Sequence, residues 1–320
     1  MKRISLAYVL LFISLTSSCS SYNAVTQNNN QTGKPTSSQE MKTDNKQNQE
    51  LQNQIEQIAS VAKGRVGVKA IVLENEDLIS LNSNERFPMQ SVYKLPISMA
   101  VLQQVDSGKI KLDQKIRVEK SDFVRLGQRS PIRDKYPNGT ELTVNELLQL
   151  AVSESDGTAS DVLMKLAGGA EAVGKYLNEL KVTEMIVANT EKEFGRDQTL
   201  QYRNWATPEG AVSLLRALYE RRGISEQSQS LLLKFMTESP TGPKRLKGLL
   251  PKNAVVAHKT GTSGTVKGVT AATNDIGIVT LPNGRHLAVA VFVADSPADE
   301  KTREEVIAKI ARAVWDKWGN

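Results

Sequence analysis

The spacing of apolar residues changes several times along this chain. An almost unbroken apolar run, Ile4 to Leu15, gives way from Ser20 to about Glu50 to Asn, Gln, Ser, Thr and Lys, including the tract Asn28-Asn29-Asn30. From Leu51 the pattern turns helical: Leu51, Ile55, Ile58 and Val61 share a face and predict an amphipathic helix ending near Gly64. A β-rich run, Val66 to Leu73, then meets the turn Asn75-Glu76-Asp77 and a returning strand, Leu78-Ile79-Ser80, a predicted hairpin. Helical spacing fills roughly residues 90–240. Within it Thr143 and Glu146 form a capping box ahead of Leu147, Leu148 and Leu150, and Thr207-Pro208 supplies an N-cap and first helical position before Val212, Leu214, Leu215 and Leu218. Strand patterns return at Ala254 to His258, Thr265 to Thr270, Ile276 to Leu281 and, across the Pro282-Asn283-Gly284 turn, Leu287 to Val293. Ser296-Pro297 opens a last helix with Val306, Ile307, Ile310, Val314 and Trp315 on one face.

Strands at both ends with helices between predict an α+β fold, an α/β/α sandwich. One antiparallel sheet is assembled from the two ends of the domain and flanked by helices, and an all-helical subdomain, about 90–240, is inserted into it. A substrate cleft is expected between the halves.

The first residues read as an address. Met1-Lys2-Arg3, the apolar run and the small residues Ser17 and Ser18 follow the order of an export signal over 1–18, too short to span a membrane as a structural helix. Cys19, just after it, resembles the lipid-attachment cysteine of bacterial lipoproteins, although Thr16 stands where that pattern prefers Leu; a lipidated Cys19 anchoring the protein at a membrane in the periplasm is the expectation. Residues 19–50 are expected to be a disordered tether, because so polar a stretch cannot bury enough surface to offset its conformational entropy. The catalytic domain is then 51–320.

Composition narrows the chemistry. The 320 residues, 39% of them hydrophobic, suffice for one large core. The net charge of +6 includes Lys2 and Arg3, and no dense basic run with interleaved aromatics is present, which argues against nucleic-acid binding. One cysteine, Cys19, and two histidines, His258 and His286, are too few for a zinc site, so no metal and no cofactor are expected. Neither histidine accompanies a G-x-S-x-G elbow, which disfavours a Ser-His-Asp triad and leaves both as ordinary strand residues.

Ser91-Val92-Tyr93-Lys94 places a lysine three residues after a serine, hence on one helical face, where the amine could accept the hydroxyl proton. Alone the tetrad is weak, since an ordinary helix start with a surface lysine reads the same way. Ser155-Asp156-Gly157 and Lys259-Thr260-Gly261 strengthen it. In this order the three elements form the signature of class A β-lactamases and penicillin-binding proteins, with Gly157 where Asn is usual. Lys259 falls at the end of the predicted strand Ala254 to His258, and Ser155 between two predicted helices lining the cleft.

From about residue 51 to 320 the chain resembles the class A serine β-lactamases, most closely their extended-spectrum, cephalosporin-hydrolysing branch. Segments carrying the narrower likeness are Gln201-Tyr202-Arg203-Asn204-Trp205, Thr241-Gly242-Pro243 with Arg245, His258 to Gly264, and Ala271 to Gly277. The resemblance implies that Ser91 is the nucleophile, Lys94 its partner, and Ser155 the relay to the departing lactam nitrogen. By the same likeness Lys259 orders Ser155 and attracts the substrate carboxylate, which Arg245 helps to hold. The N–H groups of Ser91 and Thr262 would form the oxyanion hole, and Gly157, Thr260, Gly261, Thr262 and Ser263 would contact substrate. Glu191, 36 residues after Ser155 and 68 before Lys259, matches the Ω-loop glutamate that activates the deacylating water, with Glu193 as rival. Gly195 stands where the family often has an asparagine holding that water.

The expected function is hydrolysis of penicillins and cephalosporins through an acyl-serine intermediate, giving antibiotic resistance. The partner is the small-molecule β-lactam and the protein a monomer. Two alternatives remain at this point: a D-alanyl-D-alanine carboxypeptidase or transpeptidase, which shares the serines and lysines without the glutamate, and a non-catalytic exported binding lipoprotein.

Overall fold

The computed structural model describes residues 37–319; the apolar run, Cys19 and the polar stretch as far as residue 36 lie outside them. Residues from Thr43 onward form one compact unit. The first helix, α1, covers Ser37–Ser60, so that residues 37–50, expected to belong to a disordered tether, are helical. Their composition hides this because they have little to bury. Once Leu51, Ile55 and Ala59 are anchored, the helix propagates backward at little cost through Gln, Glu and Lys, with no Gly or Pro to stop it. Side-chain bonds at i,i+4 spacing, Gln49 to Asn53 (3.0 Å) and Gln52 to Glu56 (2.8 Å), support it.

Next come β1 (Arg65–Val72), β2 (Leu78–Leu81) and β3 (Phe87–Pro88), then a single 3₁₀ turn, Gln90–Tyr93, that leads into α2 (Lys94–Asp106). The inserted region continues with β4 (Lys115–Val118), α3 (Pro131–Lys135), β5 (Thr140–Thr143), α4 (Val144–Val152), α5 (Gly157–Ala167) and α6 (Gly169–Glu179). It closes with β6 (Met185–Ile186), α7 (Glu191–Arg196), β7 (Trp205–Ala206), α8 (Pro208–Tyr219) and α9 (Glu226–Thr237). The chain then returns to the sheet as β8 (Val256–Thr262), β9 (Thr265–Val266), β10 (Val269–Thr280) and β11 (His286–Ser296), and ends in α10 (Glu300–Trp318).

The main sheet is antiparallel, in the order β2-β1-β11-β10-β8, with β9 paired to the outer end of β10. It draws on both ends of the domain, as the hydrophobic pattern implies. Period-two alternation in β11 makes the sandwich: Leu287, Val289, Val291 and Val293 join the core beneath α1 and α10, while Ala288, Ala290, Phe292 and Ala294 join the core shared with α2 and α8. Helix α2 is buried from Leu95 to Leu102, and its one polar residue there, Ser98, donates its hydroxyl to the Lys94 carbonyl (2.8 Å). The segment that follows the nucleophile is therefore rigid.

Three local expectations need correction. The strand expected over Thr265 to Thr270 is a hairpin, because Lys267 (φ +49°) and Gly268 (φ +78°) turn the chain between β9 and β10. Two successive left-handed residues make the tight primed turn that matches strand twist. The strand expected to end at His258 runs on to Thr262, so Lys259 lies in mid-strand. The last helix starts at Glu300, capped by Asp299, whose side chain accepts from Thr302 N, rather than at Ser296-Pro297. The capping boxes at Thr143 and the Thr207-Pro208 start occur where their patterns place them.

Candidate active site

Ser91 occupies the 3₁₀ turn at the head of α2, and the residue before it, Gln90, is held at φ +48°. A left-handed non-glycine residue costs roughly 1–2 kcal/mol, so the surroundings must enforce it. They do so from two sides. Asn274 on β10 donates through Nδ2 to the carbonyls of Pro88 (2.8 Å) and Met89 (3.2 Å), and Gln90 Nε2 donates to Gln201 Oε1 (2.5 Å). Strand β8 also presses on this turn at Gly261: an ideal Cβ there would lie 2.2 Å from the Met89 carbonyl oxygen, so only glycine allows the approach.

One helical turn carries Lys94 back beside the serine. Its buried Nζ lies 2.7 Å from Ser91 Oγ and 2.5 Å from Glu191 Oε1, so that one amine bridges the nucleophile and the carboxylate. Glu191 opens α7. Asp161 on α5 accepts the backbone N–H groups of Glu191 (2.8 Å) and Lys192 (3.0 Å) and so anchors that helix start. Burial, reinforced by the Glu191 charge, pushes the Asp161 carboxyl up to about 7 despite those two bonds.

Capping sets Glu191 and Glu193 apart. Glu193 is the third residue of α7, and its carboxylate accepts from the N–H (2.8 Å) and hydroxyl (3.0 Å) of Thr190 in a capping box. That leaves Glu191 to face the cavity. The pattern Thr190-x-x-Glu193 is itself legible in the sequence and is the signal that separates the two.

Ser155 sits between α4 and α5 at φ +57°, a second left-handed position at the site after Gln90. Asp156 holds the corner: it caps α5 through Ala159 N (2.9 Å) and also accepts from Ile132 N (2.7 Å) and Ser130 Oγ (3.2 Å). Lys259 Nζ, fully buried, donates to Ser155 Oγ (3.0 Å). Burial, aided by the like charge of Lys94, holds the Lys259 amine well below the usual lysine range. A lysine so placed can exchange a proton with Ser155 at modest cost.

Ser91, Lys94, Ser155 and Glu191 line one cavity of about 700 Å³, whose far wall is Thr260, Thr262, Ser263 and Arg245. Gly157 and Gly261, expected to touch substrate, do not line it. Each is packed behind the wall; a Cβ on Gly157 would lie 3.2 Å from both Glu191 Cγ and the Arg129 carbonyl oxygen. Gln128, Gln198, Thr199, Val266 and Val269 also line the cavity and carry no recognisable sequence signal. His258 in β8 and His286 in β11 are strand residues paired with Asp275 (2.8 Å) and Glu74 (2.7 Å) and line no part of the cavity. Among the described residues no cluster of His, Cys, Asp and Glu could hold a metal.

Arg245 is more committed to the protein than a substrate ligand would be. Its guanidinium donates to Glu304 Oε1 (3.1 Å) and to the carbonyls of Asn274 (3.0 Å) and Gly261 (3.3 Å), and Nη2 donates to Oγ1 of the cavity-lining Thr262 (2.8 Å). Arg245→Ala is expected to lower kcat/KM by roughly ten- to hundredfold, the loss of a hydrogen bond to a charged group. It should also lower the melting temperature, because Glu304 is left buried and unpaired at a cost of roughly 3 kcal/mol or more. Steady-state kinetics and calorimetry check both; wild-type kcat/KM would remove Arg245 from substrate binding.

The comparisons agree with this geometry. A model of the Beta-lactamase enzyme family matches residues 50–318. Beta-lactamase VEB-1 of Pseudomonas aeruginosa is 41% identical over 278 residues, covering 86% of this chain and 93% of that protein. Extended-spectrum beta-lactamase PER-1 of Pseudomonas aeruginosa is 44% identical over 267 residues, covering 83% and 86%. A crystal structure of a beta-lactamase from Chitinophaga pinensis shares 47% identity at a TM-score of 0.82, covering 84% of this chain and 99% of that one. With a serine–lysine pair, a second serine–lysine pair and a cavity glutamate in one fold, and relatives this similar over nearly their whole length, the chain belongs to the β-lactamase family as a class A serine enzyme.

Proposed function

We propose that this β-lactamase hydrolyses both penicillins and cephalosporins through an acyl-Ser91 intermediate, with Glu191 as the base of deacylation. The observation that carries this reading is the Lys94 amine set between Ser91 Oγ and Glu191 Oε1. In acylation Ser91 Oγ attacks the lactam carbonyl and its proton passes to the Lys94 amine, while the N–H groups of Ser91 and Thr262 receive the developing oxyanion. The C–N bond breaks, and the proton that Lys94 took reaches the nitrogen through Ser155, which Lys259 holds in place. Water then attacks the ester, Glu191 takes its proton, and Ser91 Oγ leaves as the alcohol as that proton returns to it through Lys94.

The breadth of substrate rests on the roomy cavity and on the relative whose name records an extended spectrum. Steady-state hydrolysis of a chromogenic cephalosporin by the purified enzyme, followed by penicillins and carbapenems, tests it. Cephalosporins should turn over at least comparably to penicillins, and a pure penicillinase with no measurable cephalosporin hydrolysis would overturn the breadth.

The same reading places the enzyme outside the cytoplasm, exported by residues 1–18 and anchored through a lipid on Cys19, because the charged, apolar and small residues precede that cysteine in export order. Cys19→Ala should then move the protein from the membrane fraction to the soluble one. A wild-type protein that is wholly soluble, with no lipid mass on Cys19, would refute the anchor.

A further inference from the structure

Residue 195, within α7, is a glycine, and an ideal Cβ built there would lie 2.5 Å from Oε1 and 3.2 Å from Cδ of Gln128. The space that a side chain at 195 would enter is taken first by Gln128, reaching in from the connection between β4 and α3, with Arg125 Cδ beside it at 3.1 Å. Both ends of its amide are committed. Oε1 accepts from the Arg125 N–H (3.1 Å), while Nε2 donates to the Glu191 carbonyl (2.5 Å) and lies 3.4 Å from Glu191 Oε2. A donor on one side and a carbonyl on the other allow one orientation of the amide. The loop that presents it is tied down as well: Arg133 Nη1 donates to the carbonyls of Arg125 (2.6 Å) and Gln128 (3.1 Å), and Arg125 Nη1 donates to the Gly195 carbonyl (2.5 Å).

Glu191 is thus gripped from two segments, with Oε1 on Lys94 and Oε2 toward Gln128. We propose that Gln128 is a positioning residue for deacylation, holding the backbone and carboxylate of Glu191 so that the base is aimed at the incoming water, and that Gly195 supplies the room for it. The inference rests on the reading of Glu191 as the deacylation base. Its physical content is restraint: a general base acts only with its lone pair directed at the proton, and small misplacements are costly. An amide bonded to the same residue's carbonyl and facing its carboxylate limits the rotation that would lose that aim.

The test is pre-steady-state kinetics with a chromogenic cephalosporin, resolving acylation from deacylation in the full-length enzyme and its variants. In Gln128→Ala deacylation should slow roughly ten- to hundredfold while acylation stays within about threefold. Gly195→Asn should also slow deacylation, because two side chains then compete for one space. In the double variant, Gln128→Ala with Gly195→Asn, the introduced asparagine enters the vacated space with an amide of its own and should recover part of the rate, a non-additivity that a purely structural role would not produce. Gln128→Glu keeps the size, removes the donor and adds a negative charge beside Glu191. Ionised Glu191 is then disfavoured, so the acid limb of kcat should move to higher pH. Wild-type deacylation in Gln128→Ala, a parallel fall in both steps, or an unmoved acid limb in Gln128→Glu would overturn the inference. Glu191→Gln separates the two readings: if it traps the ester while Gln128→Ala deacylates normally, only the role of Gln128 falls, and if it turns over freely, both fall.

Discussion

Glu191→Gln is expected to acylate normally and then remain acylated. An acyl-serine ester hydrolyses slowly unless a base takes a proton from the attacking water, and positioned general-base catalysis contributes roughly 10²- to 10⁴-fold. Glutamine keeps the length of the side chain and an oxygen for Lys94, so the bridge to Ser91 survives while the base is lost. Intact-mass spectrometry after brief exposure to a good substrate should show a stable adduct on Glu191→Gln, a transient one on the wild type and none on Ser91→Ala. Glu193 is poorly placed to substitute, since its carboxylate is bound into the cap of its own helix. Full turnover by Glu191→Gln would assign the base elsewhere.

Gly261→Ala should fail at the opposite step. A Cβ at 261 would come within 2.2 Å of the Met89 carbonyl oxygen, which also accepts from Asn274, and within 3.2 Å of Gln90 Cβ and Val92 Cγ2. Ordinary contact requires β8 and the Ser91 turn to part by roughly 1 Å, a displacement that can cost on the order of 100-fold in rate. The expected result is a fall in kcat/KM of at least about 100-fold with no accumulated adduct, a folded far-ultraviolet spectrum and a lowered melting temperature from overpacking. Near-wild-type kcat/KM would show that strand and turn yield without moving the nucleophile. The two variants together separate the machinery: one stalls after the ester forms, the other before.

The chain's linear pattern determined the architecture because period-two and helical spacing are local properties. Alternation in β11 sorts its residues onto two cores, and Thr143…Glu146 and Thr207-Pro208 mark helix starts within a few residues of chain. Ser91 and Lys94 were legible together for the same reason, being one turn apart. Other elements escaped local reading. Strands of two residues, such as β3, β6 and β7, are too short to show a period, and the polar start of α1 exists only because Leu51 and Ile55 are anchored in the core. The extended reach of β8 to Thr262 depends on its pairing with β10, a partner that local spacing does not reveal.

The site itself belongs to tertiary structure. Only folding brings Glu191 onto Lys94 and Lys259 onto Ser155, across 97 and 104 residues of chain, and only folding, by burial and the nearby charge of Lys94, lowers the proton affinity of Lys259. The same holds for the groups without a motif. Gln128 reaches Glu191 through space left by Gly195, Asp161 anchors the start of α7, and Arg245 spends most of its donors on Glu304 and two carbonyls. Which residue types are present was written in the sequence. Their charge states and aim were decided by the fold, because desolvation and hydrogen-bond direction depend on neighbours from distant segments.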